Sequence, residues 1–116
     1  MIGITDDPLF GPLVAFGLGG IHVEVLHDLV YRVAPVDHAQ ARTMLNELRG
    51  AKLLEGVRGS AARDIEVLCD LIVRLSWLAY DCTDRIAELD VNPLMLYAQG
   101  HGACVVDALI IKRPPE

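Results

Sequence analysis

The stretch from Ile86 to Ile111, IAELDVNPLMLYAQGHGACVVDALII, constrains the fold most. Its two ends, Ile86–Tyr97 and Ala103–Ile111, are rich in aliphatic residues, and Gln99-Gly100-His101-Gly102 between them supplies turn chemistry. Two such runs about a glycine-containing loop predict an antiparallel β-hairpin. Side chains alternate along a strand. Ile86, Glu88, Asp90 and Asn92 therefore share one face, while Ala87, Leu89 and Val91 share the other, which reads as core. With a four-residue loop, Ala98–His101, Tyr97 pairs with Gly102, and the same register sets Asn92 opposite Asp107.

That pairing carries the one pointed piece of chemistry in the sequence. Asp107 is the only charge between Ala103 and Ile111, on the side of Val105 and Leu109. A lone carboxylate in an apolar strand is costly unless something pairs with it, and Asn92 is neutral. A hard cation held by the Asp107 carboxylate and the Asn92 amide oxygen resolves that cost. Mg²⁺ suits such a site, because it takes one or two protein oxygens and leaves its other positions to water and phosphates. Glu88 and Asp90 lie on the same face as Asn92, with Asp90 nearer, so both could partly substitute as ligands. The alternative is a solvent-facing hairpin whose acidic residues block edge-to-edge pairing.

The chain has 116 residues, enough for one domain. Hydrophobic residues make up 53% of it, which is apolar for a small domain and implies that some surface belongs against another domain or a second copy. The net charge of −6 argues against nucleic acid or an anionic membrane as the main partner. No apolar run is long enough to span a bilayer and no signal-peptide pattern opens the chain. Cys69, Cys82 and Cys104 are odd in number and lack CxxC spacing, which fits free thiols in the cytoplasm.

Taken in order, residues 1–12 read as loop and turn, with Asp6-Asp7-Pro8 and Phe10-Gly11-Pro12. Leu13–Phe16 reads as a strand, Gly17-Leu18-Gly19-Gly20 as a turn, and Ile21–Leu26 as an alternating strand. The glycines fit a hairpin turn better than a phosphate cradle, since no GKS or GKT follows. Glu24, on the polar face just beyond them, faces either water or a nucleotide. Leu29–Ala34 is a third strand. Asp37 with Gln40 three residues on predicts a capping box, and Ala41, Met44, Leu45 and Leu48 form a helical stripe ending near Gly50. Lys52–Ser60 reads as short turns. A second helix is expected from Ser60 to Asp81 on the stripe Ile65, Leu68, Ile72, Leu75, Ala79 and Cys82, with Trp77 and Tyr80 off it. No pair among His22, His27, His38 and His101 has zinc spacing. Strands at both ends with helices between predict an α+β fold, an antiparallel-rich sheet with two helices on one face.

Four ordered motifs also carry a resemblance: DPLFGPLVAFGLGGIHVEVLHDLVYRVAP at Asp7–Pro35, LLEGVRG at Leu53–Gly59, ELDVNPL at Glu88–Leu94 and VVDALI at Val105–Ile110. Together they resemble the C-terminal part of the ATP-grasp domain of ADP-forming acyl-CoA synthetases and, more distantly, the succinyl-CoA synthetase β subunit. The resemblance covers about Gly3 to Lys112. It implies that Asn92 and Asp107 bind the Mg²⁺ of ATP or ADP, and that Gly19, Gly20 and Glu24 lie near the nucleotide. The implied reaction interconverts acid, CoA and ATP with acyl-CoA, ADP and phosphate through an acyl phosphate and a phosphohistidine. The N-terminal half of the grasp, the CoA-binding part and the relay histidines have no match here. Residues 1–116 are thus expected to be one subdomain of a longer protein, inactive alone. Two alternatives stand beside this reading: a ligand-sensing domain of a protein acetyltransferase, and a dimerisation module.

Overall fold

The computed structural model describes residues 1–18, 28–56 and 61–114. Strand-period and helix-period segments sort into an antiparallel sheet and a helical layer. The order is β1 (Ile2–Asp7), β2 (Gly11–Gly17), β3 (Leu29–Val33), α1 (His38–Glu47), α2 (Lys52–Glu55), α3 (Ile65–Asp81), β4 (Ile86–Val91), β5 (Leu94–Leu96), β6 (Ala103–Val105) and β7 (Ala108–Lys112). The five-stranded sheet runs β3-β2-β1-β4-β7, and β5 and β6 form a separate two-stranded ribbon. Every described pairing is antiparallel. The α+β architecture expected from the sequence is the one observed.

Alternation divides the sheet into a buried and an open face. Ile2 and Ile4 pair with Phe16 and Val14 on one side and with Val91 and Leu89 on the other, and all six are buried in one core. Both long helices cover that face: α3 packs on β1 and β2, and α1 on β3 and α3. From α3 the core receives Leu68, Cys69, Ile72 and Ala79, with Ile65 and Leu75 at its margin. Ser76 is also fully buried; its hydroxyl accepts from the Val36 amide (3.0 Å) and donates to the Val73 carbonyl (2.7 Å). Burial pushes the Cys69 thiol pKa up, although the nearby Arg42 opposes the shift. Trp77 and Tyr80 lie off the stripe, exposed and packed edge to face on each other.

The expected capping box is present, with the Gln40 amide donating to Asp37 Oδ1 (2.7 Å) and the Asp37 amide to Gln40 Oε1 (2.9 Å). Three expectations need correction. Residues 1–12 are not all loop, because Ile2–Asp7 is the central strand, bonded to β2 and β4. Only Ile2 and Ile4 alternate there before Asp6-Asp7-Pro8, and it is pairing on both sides that satisfies the backbone. The helix expected from Ser60 begins at Ile65, capped by Asp64, because the preceding residues pair instead with the turn of the ribbon. The turn segment contains a one-turn helix, α2. The expected strand Ile21–Leu26 lies outside the described residues.

The predicted hairpin register holds from Glu88 to the turn: the Tyr97 amide donates to the Gly102 carbonyl (3.0 Å), Leu94 faces Val105, and Val91 faces Ala108. Before Glu88 a bulge shifts it, so that Ile86 faces Lys112 and, against expectation, packs on the core rather than sharing the polar face. The hairpin is nevertheless divided between two sheets at Asn92-Pro93. Proline has no N–H for a ladder, but the Pro93 carbonyl accepts from the Val106 amide (3.0 Å). No helix among the described residues is long and apolar enough to cross a membrane.

The core assignment has a direct test in unfolding by denaturant. Ile72→Ala should lower the unfolding free energy by about 2–5 kcal/mol, whereas Arg74→Ala, on the exposed side of the same helix, should change it by about 0.5 kcal/mol or less. Equal losses would mean that the stripe does not face the core.

Candidate functional site

The open face of the sheet is where the hairpin presents its polar residues. Glu88 and Asp90 on β4, Gly3 and Thr5 on β1, Tyr31 on β3, and Leu109 and Ile111 on β7 line a shallow concavity of about 280 Å³. Among its described lining residues there is no lysine or arginine. Met1, whose ammonium is tied to the Gly17 carbonyl, also lines it.

Asp90 is the most constrained polar group on this face. It pairs in register with Gly3 and Leu109 and is half-buried. Its Oδ1 is buried with no hydrogen-bond partner among the described residues. The Met1 ammonium donates to the Gly17 carbonyl (2.6 Å); burial holds its pKa below the usual value, while the Asp90 charge works in the opposite direction. An orphaned buried acceptor costs about 1–3 kcal/mol, so Asp90 is poised to gain from a bound cation.

Asn92 and Asp107 stand two rungs further along, at the joint between sheet and ribbon. The Asn92 amide donates to the Asp107 carbonyl (3.1 Å), so the two residues are directly opposed, as the sequence register requires. Both are exposed. Asp107 Oδ1 accepts from the Ala108 amide (2.9 Å), which fixes the carboxylate against its own strand. The donor set is oxygen only, and no group of three or more His, Cys, Asp or Glu among the described residues could hold a metal. An arrangement with few protein oxygens fits Mg²⁺, which keeps several positions for water and phosphate, and does not suit zinc.

The other residues singled out in the sequence fall elsewhere. Gly19, Gly20 and Glu24 lie outside the described residues. His38 opens α1 and meets Glu66 at 3.4 Å, and His101 is in the ribbon turn. Two buried carboxylates had no signal in the pattern. Asp28 accepts from the Arg49 and Gly50 amides (2.8 and 2.9 Å), tying β3 to the turn after α1. Asp64 accepts from Gly102 at the ribbon turn (2.8 Å). The Asp28 contacts and the Asp64–Gly102 bond follow from tertiary contact, and Asp64 also caps α3 locally.

Comparison with known proteins places the chain in a family. An ATP-grasp domain model matches residues 1–111. The chain is 45% identical over 111 residues to the β subunit of the ADP-forming acetate–CoA ligase II of Pyrococcus furiosus, a match that covers 96% of this chain and 47% of that subunit. It is 42% identical to the ADP-forming 4-hydroxybutyrate–CoA ligase of Nitrosopumilus maritimus, over 95% of this chain and 16% of the relative. Among solved structures, one similar fold is a dinucleotide-forming acetyl-coenzyme A synthetase 1 of Candidatus Korarchaeum cryptofilum in complex with coenzyme A and Mg-AMPPCP. There the TM-score is 0.91 at 44% identity, covering 97% of this chain and 51% of that one. The chain thus spans about half the length of these subunit-type relatives.

The orphaned carboxylate gives a testable outcome without added metal. Asp90→Asn should change unfolding stability by no more than about 1 kcal/mol, because the amide leaves the buried atom unpaired as before and gives up only the attraction of the partly exposed Asp90 charge for the Met1 ammonium. A clear loss of stability in chelated buffer would show that the Asp90 carboxylate is held by the protein itself.

Proposed function

Because the chain belongs to the ATP-grasp domain family, we propose that it forms the Mg²⁺-binding side of the nucleotide cleft of an ADP-forming acyl-CoA synthetase. The observation that carries this reading is the opposed pair Asn92 and Asp107 beside a concavity that contains Glu88 and Asp90 and no described lysine or arginine. The Asn92 amide oxygen and the Asp107 carboxylate would hold the metal, with Asp90 the nearest further oxygen. When bound, Mg²⁺ supplies positive charge against the phosphates during phosphoryl transfer. Gly19, Gly20 and Glu24 are assigned as secondary nucleotide contacts.

The remaining cleft wall, the CoA-binding part and the phosphohistidine relay are assigned to the length that the relatives have beyond this chain. The similar proteins named above are CoA ligases or synthetases, which supports the synthetase reading over a sensor or a dimerisation module. Three free thiols suit a reducing compartment, and we assign the reaction to the cytoplasm.

In the full-length protein, Asp107→Asn should slow phosphoryl transfer from Mg-ATP by about a hundredfold or more, by analogy with removal of one charge-stabilising group at a transition state. Asn92→Ala should do less harm, Asp90→Asn less again, and Glu88→Gln least. The measurement is the transfer rate at limiting and saturating Mg²⁺. Wild-type rates for a folded Asp107→Asn variant at both concentrations would make Asp107 a surface charge.

The 116-residue chain alone should form no ATP from acetyl-CoA, ADP and phosphate, and its exposed apolar residues should promote self-association on a sizing column. Turnover by this chain would show that the half-cleft assignment is wrong.

A further inference from the structure

β7 closes one side of the five-stranded sheet, and no strand pairs with its outer edge among the described residues. All of Ala108–Lys112 is exposed, with Leu109 at 60%, Ile110 at 51% and Ile111 at 44%. Edge strands are ordinarily guarded against further pairing by a charge, a proline or a bulge. The opposite edge, β3, carries Arg32, which is ion-paired with Glu47. β7 has neither charge nor proline from Ala108 to Ile111, and the irregularity beside it falls in β4, at Ile86/Glu88.

The hydrogen bonds show which backbone groups point outward. The Asn92 amide donates to the Asp107 carbonyl (3.1 Å), and the Arg113 amide donates to the Arg85 carbonyl (2.8 Å). Residues 107 and 113 therefore turn their backbone groups toward β4, and alternation along an antiparallel ladder does the same for Leu109 and Ile111. Ala108, Ile110 and Lys112 turn theirs to the open edge. The Ala108 amide is already taken by Asp107 Oδ1 (2.9 Å). What stays available is the Ala108 carbonyl and both groups of Ile110 and Lys112.

We propose that this edge pairs with the same edge of a second copy, antiparallel, about a two-fold axis at Ile110. Outward residues must meet outward residues, and only an axis at Ile110 overlaps all of Ala108–Lys112. Ile110 then exchanges both backbone bonds with its counterpart, and each Lys112 amide reaches the Ala108 carbonyl of the other copy. Leu109 faces Ile111 of the second copy on the open side, which gives apolar cross-strand pairs. Asp107 is set opposite Arg113 of the second copy at both ends, so the strand is complementary in charge to its own reverse. Arg113 is held at that end by Asp6 and the Thr83 carbonyl (both 2.6 Å), and a guanidinium has five N–H donors, which leaves others to face Asp107. An axis at Leu109 instead sets Asp107 against Ile111, and an axis at Ile111 sets Arg113 against Leu109, so both lose the ionic match. A contact through one strand involves far fewer residues than the roughly 20–30 per side of a standard interface, which makes the dimer weak and concentration-dependent.

The surface is independent of the Mg²⁺ role proposed above. The test uses the full-length protein and compares two single cysteines on the same face of β7. Ile110→Cys puts two thiols directly across the axis, where opposed Cα atoms lie about 5.5 Å apart, within disulfide reach. Ala108→Cys puts them four residues apart along the strand, roughly 14 Å at a rise of about 3.4 Å, which is beyond it. Under mild oxidation Ile110→Cys should be captured as a disulfide-linked dimer, whereas Ala108→Cys should stay at the wild-type level set by the native exposed thiol of Cys104. In sedimentation across a concentration series, Ile110→Lys should weaken association by about tenfold or more, because like charges then meet at the axis.

Equal capture of both cysteines overturns the register. No capture of either, with a monomer at every concentration, means that the remaining length of the protein covers β7, and the proposal falls. Undiminished association of a folded Ile110→Lys variant places the dimer on another surface, which also overturns it. If Ile110→Lys does not fold, the two cysteine variants still decide the matter.

Discussion

The structure depends on the pairing of β1 with β4. Ile2 and Ile4 face Val91 and Leu89, and all four are buried beneath α3 and α1. Because side chains in a strand alternate with a period of two, that burial fixes the opposite face without further instruction. Gly3 and Thr5 must then lie beside Asp90 and Glu88 on the open side. A one-residue slip of β4 would bury two carboxylates and expose Leu89 and Val91. The same apolar contacts that stabilise the sheet thus hold the acidic residues in a row facing outward. The chemistry of the open face and the stability of the core are consequences of one register.

Proline at position 93 turns this register to a second use. It interrupts the ladder directly after Asn92 without changing the pairing, so the hairpin continues as a ribbon in a separate sheet. The rung that holds Asn92 and Asp107 lies at this joint, and both side chains are exposed. A regular strand through the same point would carry them within a continuous ladder. The break instead puts two oxygen-bearing side chains at the end of the sheet, next to the concavity that holds Asp90.

Local signals made much of this legible in the sequence. Alternation and turn chemistry were enough to predict the hairpin register to the residue from Glu88 to the turn, because a glycine-containing turn and two long apolar runs leave few ways to pair. The Asp37 capping box and the Ile65-to-Ala79 stripe were likewise readable, since each depends on neighbours within a turn or two of helix. What could not be read depends on partners distant in the chain. Ile2–Asp7 has two alternating isoleucines and then two aspartates, and only β2 and β4 make it a strand. Asp64 was hidden by Ser60, which has equal capping chemistry and stands earlier; the choice between them is made by the ribbon turn that pairs with residues 62–64. The acidic face was visible as a pattern, but the buried, unpaired oxygen of Asp90 was not, because its burial comes from β1 and β7 closing over it on either side.

Under the proposed function, electrostatics decides which form of a nucleotide this face can meet. Glu88 and Asp90 in the concavity and Asp107 beyond it are carboxylates, and the described lining offers no lysine or arginine to offset them, only the Met1 ammonium. Two like charges about 4 Å apart repel by roughly 4 kcal/mol at an effective dielectric of about 20, and a polyphosphate brings several. If Asn92 and Asp107 hold Mg²⁺ as proposed, a bare nucleotide is disfavoured here relative to one that carries the metal. Under the proposed function the acidic face acts as a filter for the metal-bound form. Phosphate-binding cations must then come from the opposite wall of the cleft. A single wall of this composition could hold a metal and still transfer no phosphoryl group, because the positive charge that aligns the phosphates would be missing.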